Sequence, residues 1–177
     1  MIKLAIILAD NVESSIRVIT EDISNNLPKL YSVVIFSIKY NCITPTEHIR
    51  PLFRHLWKLK DCDIIHLQAA MPISLTPLIR LLFPKVKIIS TEHDFGWKYF
   101  KNTLPIYKSL ILRLSLYVGR KLCHKNIYPS YALLRYIKAE FDLSDSSAVV
   151  YNGISDCSQD PKIIQTTPSE KFTMRVV

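Results

Sequence analysis

The chain has 177 residues, 49% hydrophobic and 21% charged, which suits one globular domain with its own core and excludes a disordered chain. Its 23 basic and 15 acidic residues leave a formal charge of +8, pointing to an anionic partner: nucleic acid, lipid headgroups or a phosphorylated ligand. No Lys/Arg block of five or more and no nucleic-acid motif accompanies that charge, so nucleic acid is the weakest of the three and is not expected.

In chain order, Ile2–Ala9 is a near-pure apolar run. It is far shorter than the roughly 20 residues of a membrane span and lacks a basic leader and a small-residue cleavage site, so it is read as a buried first strand. Ile16, Ile19, Ile23 and Leu27 recur at helical spacing and predict a helix from Ser14 to Leu27, stopped by Pro28. Ser32–Ile38 is a second strand, Thr46–Leu59 a helix, and Asp63–Leu67 a third strand. Pro72 suits the first turn of a helix that runs to Phe83 and ends at Pro84. Val86–Thr91 is a fourth strand, followed by a loop from Glu92 to Trp97. Pro105 opens a long helix to Leu122. Asn126–Tyr128, Tyr131–Phe141 and Ala148–Tyr151 read as strand, helix and strand.

Near-continuously apolar strands separated by helices imply a parallel sheet covered on both faces. The right-handed crossover rule then gives an α/β fold with an open, doubly wound, mostly parallel sheet. Past Gly153 the composition changes: Ile154–Glu170 is rich in Ser, Asp, Gln and Thr, carries Pro161 and Pro168, and reads as a linker. Lys171–Val177 then turns β-prone. Two readings follow, the first strand of a further domain or an edge strand of the same sheet, and the first is preferred because linkers usually join domains. Cys42, Cys62, Cys123 and Cys157 show no CxxC spacing and are expected as free thiols of a reducing cytoplasm. Cys123 and His124 are adjacent, which does not suit a helical ligand pair, and no metal is expected.

Open parallel sheets bind ligands outside the carboxyl ends of their strands. There the sequence places Asp10-Asn11, His66-Leu67-Gln68, Glu92-His93-Asp94, Pro129-Ser130 and Asn152-Gly153. These polar ends contrast with apolar strand interiors and converge on one rim, a candidate cleft. Four of the segments, Asp63–Gln68, Ile88–Asp94, Ile127–Ser130 and Val149–Ile154, resemble successive landmarks of the N-terminal domain of family 4 glycosyltransferases. The resemblance covers about residues 1–156.

The resemblance implies one half of a GT-B architecture, in which two Rossmann-like domains face each other across a cleft. Residues 1–156 would be the acceptor-side domain, 157–170 the interdomain linker and 171–177 the first strand of a C-terminal, donor-binding domain. It also implies a retaining transferase that moves a sugar from a nucleotide-sugar donor to a glycan or lipid-linked acceptor. The nucleotide sugar is a substrate, so no cofactor is expected. The chain alone would be inactive and would need its second domain in cis or in trans. A cytoplasmic location is expected, with the inner face of the membrane as a second option.

By the resemblance His93 takes the place of the family histidine near the donor sugar, where imidazole can donate a hydrogen bond or shuttle a proton. The plain alternative is a loop histidine that caps the next segment. Asp94 orients the imidazole or a substrate hydroxyl, or simply forms a turn. His66 is read as a core histidine, and Gln68, one pleat further on, as the better cleft contact. Ser130 is a cleft residue or, preferably, an N-cap. Asn152-Gly153 is first a turn. Trp97, with Tyr99 and Phe100, is a sugar platform or, more commonly for aromatics, packing.

One departure stands out. The family's glycine-rich turn after strand one is here Asp10-Asn11-Val12-Glu13-Ser14-Ser15, with no glycine to bring backbone N–H groups to a diphosphate. Asp10 and Glu13 would repel phosphate. They serve the acceptor, or the missing domain holds the diphosphate, or activity is lost. The last option motivates the rival reading, a non-catalytic binding or assembly module that kept the fold. A dinucleotide oxidoreductase is disfavoured because no GxGxxG follows strand one. The basic segment Lys98–Lys125 offers an anionic membrane surface as a further candidate partner. A core helix with a solvated basic edge is preferred, because the apolar residues look too widely spread for a surface stripe.

Overall fold

The computed structural model describes residues 1–9, 14–38, 58–141 and 147–151. They form a six-stranded sheet of order β2-β1-β3-β4-β5-β6, with every neighbouring pair parallel. The strands are β1 (Ile2–Ala9), β2 (Tyr31–Ile38), β3 (Ile64–Gln68), β4 (Lys87–Thr91), β5 (Lys125–Tyr128) and β6 (Ser147–Val149). The expected α/β, doubly wound architecture is what the chain adopts.

The helices are α1 (Ser14–Asn26), α2 (Ala70–Ser74), α3 (Thr76–Leu82), α4 (Gly96–Thr103), α5 (Ile106–Leu122) and α6 (Tyr131–Phe141). β1 explains why both faces need cover. Its residues Leu4 to Ala9 are all buried, and successive side chains go to opposite faces. Leu4, Ile6 and Leu8 pack with Ile16, Ile23 and Leu27 of the α1 segment. Ala5 and Ile7 join a larger core with Ile65, Leu67, Ile73, Ile79, Leu112, Leu116, Leu133 and Ile137 from β3 and helices α2, α3, α5 and α6.

Strand order reverses at β1. The chain moves outward from β1 to β2, then crosses back to place β3 on β1's other side, with Ile6 opposite both Ile35 and His66. Open α/β sheets form their ligand crevice at such a switch point.

Several sequence expectations are revised. The single helix from Pro72 to Phe83 is two short ones, broken at Leu75, with Pro77 in the first turn of the second. The residues around Trp97, expected as a loop, form α4, and Trp97 lies in its first turn. α4 stops just before Leu104-Pro105, because proline disfavours helical backbone in the residue before it. The predicted helix 46–59 falls largely outside the described residues, as do the linker 157–170 and the segment 171–177.

α5 sits tightly on the sheet. Leu112, Leu116, Gly119 and Arg120 form its buried side. A Cβ on Gly119 would stand 2.3 Å from the Ile73 carbonyl oxygen, so only glycine lets α5 approach α2 this closely. The expected wide scatter of apolar residues on this helix is also corrected. Beyond the buried face, Ile106, Tyr107, Leu110, Ile111 and Leu114 form a separate, exposed apolar face.

Candidate functional site

The carboxyl edges of β3 and β4 carry the polar constellation. Gln68 pairs in register with Thr91, and His66 with Ile89. Alternation sends His66, Gln68, Thr91 and then His93 to one side of the sheet, and Ser90 and Glu92 to the other. Each side builds its own network.

On the first side, Gln68 Oε1 lies 2.5 Å from His93 Nε2. Gln68 Nε2 lies 3.4 Å from His66 Nε2, which is 2.7 Å from Thr91 Oγ1. The amide assigns the protons. Its oxygen accepts from His93 Nε2–H, and its NH₂ and the Thr91 hydroxyl both donate to His66 Nε2. His66 Nε2 therefore holds a lone pair, which makes that imidazole neutral, and His93, with its proton on Nε2, is the Nε2–H tautomer when neutral. In that tautomer His93 Nδ1 is an acceptor. It is shut off from solvent and has no hydrogen-bond partner.

Burial drives the same protonation state. Desolvation, helped by neighbouring His93, pulls His66 down to about 4. Desolvation also lowers His93, against the opposing pull of the Asp94 carboxylate. A histidine held neutral by the fold stabilises it fully above the ordinary value of 6.5 and loses that contribution as pH falls towards the folded value. Unfolding free energy should thus drop by roughly 3 kcal/mol between pH 6.5 and about 4 on account of His66. His66→Gln keeps an acceptor and removes the titration, so urea unfolding across that window should show a shallower pH slope. Equal slopes for the two proteins would sink the assignment.

On the other side Glu92 and Arg120 form a buried, two-pronged ion pair. Arg120 Nη2 is 2.8 Å from both carboxylate oxygens and Nε is 3.1 Å from Oε2. The two side chains are 1% and 0% exposed. The guanidinium also lies over the Phe141 ring, 4.0 Å from its centroid. Asn126 donates to the Arg120 carbonyl at 3.0 Å and accepts from Ser90 Oγ at 2.6 Å. This network bolts the end of α5 to β4 and β5 just behind His93.

The predicted site residues separate accordingly. His93 and Gln68 come together, and His66 joins them. Gln68 is 0% exposed and faces His93 rather than an open cleft. Asp94 is exposed beside His93, and its charge is felt there. Ser130 Oγ accepts from Leu133 N–H at 3.2 Å and caps α6. Asp10, Asn11, Glu13, Asn152 and Gly153 lie outside the described residues. His124 is structural, its Nδ1 accepting from Ile88 N–H at 2.9 Å and from Arg80 at 3.1 Å. Cys123 is a buried free thiol, pushed up by desolvation, 3.8 Å from Thr76 Oγ1.

Two features escaped the sequence reading. One is Arg120. The other is Ala69, directly after Gln68, with φ 78° and ψ 166°. That region is nearly restricted to glycine and costs about 1–3 kcal/mol for other residues. It turns the chain sharply from β3 into α2, and its N–H is held by the Thr91 carbonyl at 2.8 Å. Strain of this kind collects where a fold positions a site.

Residues 12–156 match the family profile described as Glycosyltransferase Family 4. A search of curated proteins found no match.

Proposed function

Since the chain belongs to glycosyltransferase family 4, we propose that it forms the acceptor-side half of a retaining transferase. The donor is a nucleotide sugar and the acceptor a glycan or a lipid-linked sugar. A C-terminal domain, in cis or in trans, holds most of the nucleotide.

The observation that carries this reading is the unpartnered Nδ1 of His93. Desolvation favours its neutral ring, which Gln68 fixes at the carboxyl edge of the sheet. A buried acceptor without a partner costs stability of about 1–3 kcal/mol, and a sugar hydroxyl would satisfy it once substrate binding opens the ring to the cleft. A neutral imidazole can accept that hydroxyl's hydrogen bond or take its proton. Asp94, beside it, raises the basicity of the ring. Glu92 and Arg120 are sealed in the fold and are positioning residues for the loop that carries His93.

A transfer assay tests the reading. The chain, joined or mixed with its donor-binding domain, is given a panel of nucleotide sugars and acceptor extracts, and nucleotide release is followed. Acceptor-dependent release with one donor is expected. A folded two-domain protein that turns over no donor would favour the non-catalytic module, the reading motivated by the glycine-free turn at Asp10–Ser15.

A further inference from the structure

The exposed face of α5 is apolar where a solvated helix should be polar. Ile106 is 81% exposed, Tyr107 62%, Leu110 60%, Ile111 50% and Leu114 64%. These residues recur over successive turns on the side opposite Leu112 and Leu116, so they form one stripe. Beside it Leu110, Leu114, Tyr117 and Phe141 line a groove of about 390 Å³, with Arg113 and Glu140 on its walls. Contiguous apolar surface of this kind marks an interaction site.

Charge identifies the occupant. Residues 95–139 contain nine Lys and Arg and no Asp or Glu. Arg120 is neutralised inside the fold, but Arg113 and Lys101, about half exposed, share the single Glu140 carboxylate. Lys108 and Arg113 border the stripe on its two sides, and exposed Lys121 continues its face in the last turn, its ammonium 4.5 Å from the Tyr117 ring. An apolar stripe with a cationic border and no acidic residue on its helix fits a surface that is apolar within and anionic at its boundary. A nucleic-acid partner matches only the cationic half of that pattern.

We propose that α5 lies in the headgroup region of an anionic lipid bilayer, its stripe in the acyl boundary and its lysines and arginines among the phosphates. No described helix is long and apolar enough to cross a membrane, and the contact proposed for α5 is peripheral. In a parallel sheet the crossover helix runs antiparallel to its strands. The Ile106 end of α5 therefore lies at the same end of the sheet as His93, and docking holds the candidate site at the lipid surface. The docking itself rests on exposure and charge alone and stands whether or not sugar transfer occurs.

The test is co-sedimentation of the full chain with phosphatidylcholine vesicles, with and without phosphatidylglycerol, at low and high salt. Binding to anionic vesicles should be at least about tenfold tighter than to neutral ones and should weaken with salt. Leu110→Ser/Leu114→Ser and Lys108→Glu/Lys121→Glu should each weaken it about tenfold while the thermal unfolding midpoint holds, since all four positions lie off the core. A chain that stays in the supernatant with anionic vesicles overturns the proposal. So does binding that ignores both double variants. Concentration-dependent self-association, abolished by the leucine pair and without vesicle binding, overturns it and gives the stripe to a second copy.

Discussion

Arg120→Met should cost the fold about 3–5 kcal/mol, a large stability loss for a single substitution. Methionine nearly fills the space of the arginine stem and keeps contact with Phe141. It leaves the Glu92 carboxylate, 1% exposed, with no cation. An unpaired buried charge is what makes breaking such a pair so much costlier than deleting it. Two controls make the cause visible in urea unfolding. Arg120→Met/Glu92→Leu removes both charges and should recover most of the loss. Acid should also help the single variant. Burial already pushes the Glu92 carboxyl up, with Arg120 opposing. Without Arg120 the folded carboxyl rises further above its unfolded value. Such a group stabilises the fold at low pH and loses that contribution as pH rises. The gap between wild type and Arg120→Met should therefore narrow on acidification. Equal urea midpoints at neutral pH would show that the pair is solvated.

That ion pair shows where sequence reading stopped. The strands were legible because a parallel strand buried on both faces must be apolar throughout, as Ile2–Ala9 is. Helix ends at Pro28 and Pro84 were legible because proline acts locally. Arg120 was not, because it is one of several basic residues between Lys98 and Lys125 and its partner lies 28 residues away. A signal did exist: Leu112, Leu116 and Gly119 mark the buried side of α5, and Arg120 shares it. Reading the segment by helical phase also separates this face from the exposed stripe, which a count of apolar residues blurs. α4 was missed because glycine at its first position reads as loop. His93 and Asp94 could be placed at a strand end. The Gln68–His93 contact could not, since it depends on the β3–β4 register that pairs Gln68 with Thr91. His66, read as a core histidine, is only partly buried and also takes part in that contact network.

His93→Ala should reduce kcat for sugar transfer by the two-domain enzyme about 10²- to 10⁴-fold, the range a positioned acid–base group supplies. Urea stability should fall by no more than about 1–3 kcal/mol, because the buried Gln68 Oε1 loses its donor while the unpartnered Nδ1 goes with the ring. Gln68→Leu separates orientation from chemistry. It leaves the imidazole in place and removes the acceptor that fixes its Nε2–H, so Nδ1 is no longer held as the acceptor. A smaller loss, carried in kcat rather than KM, is expected. The pH profile gives a third reading. Burial sets His93 below the ordinary histidine range and Asp94 pulls it back up. The acid limb of kcat should lie below that range, and Asp94→Asn should move it lower still, since the anion that favours the protonated ring is gone. Full transfer by His93→Ala would remove the histidine from the reaction. Loss by His93→Ala with no effect of Gln68→Leu on kcat would keep the histidine and discard the amide as its positioning group.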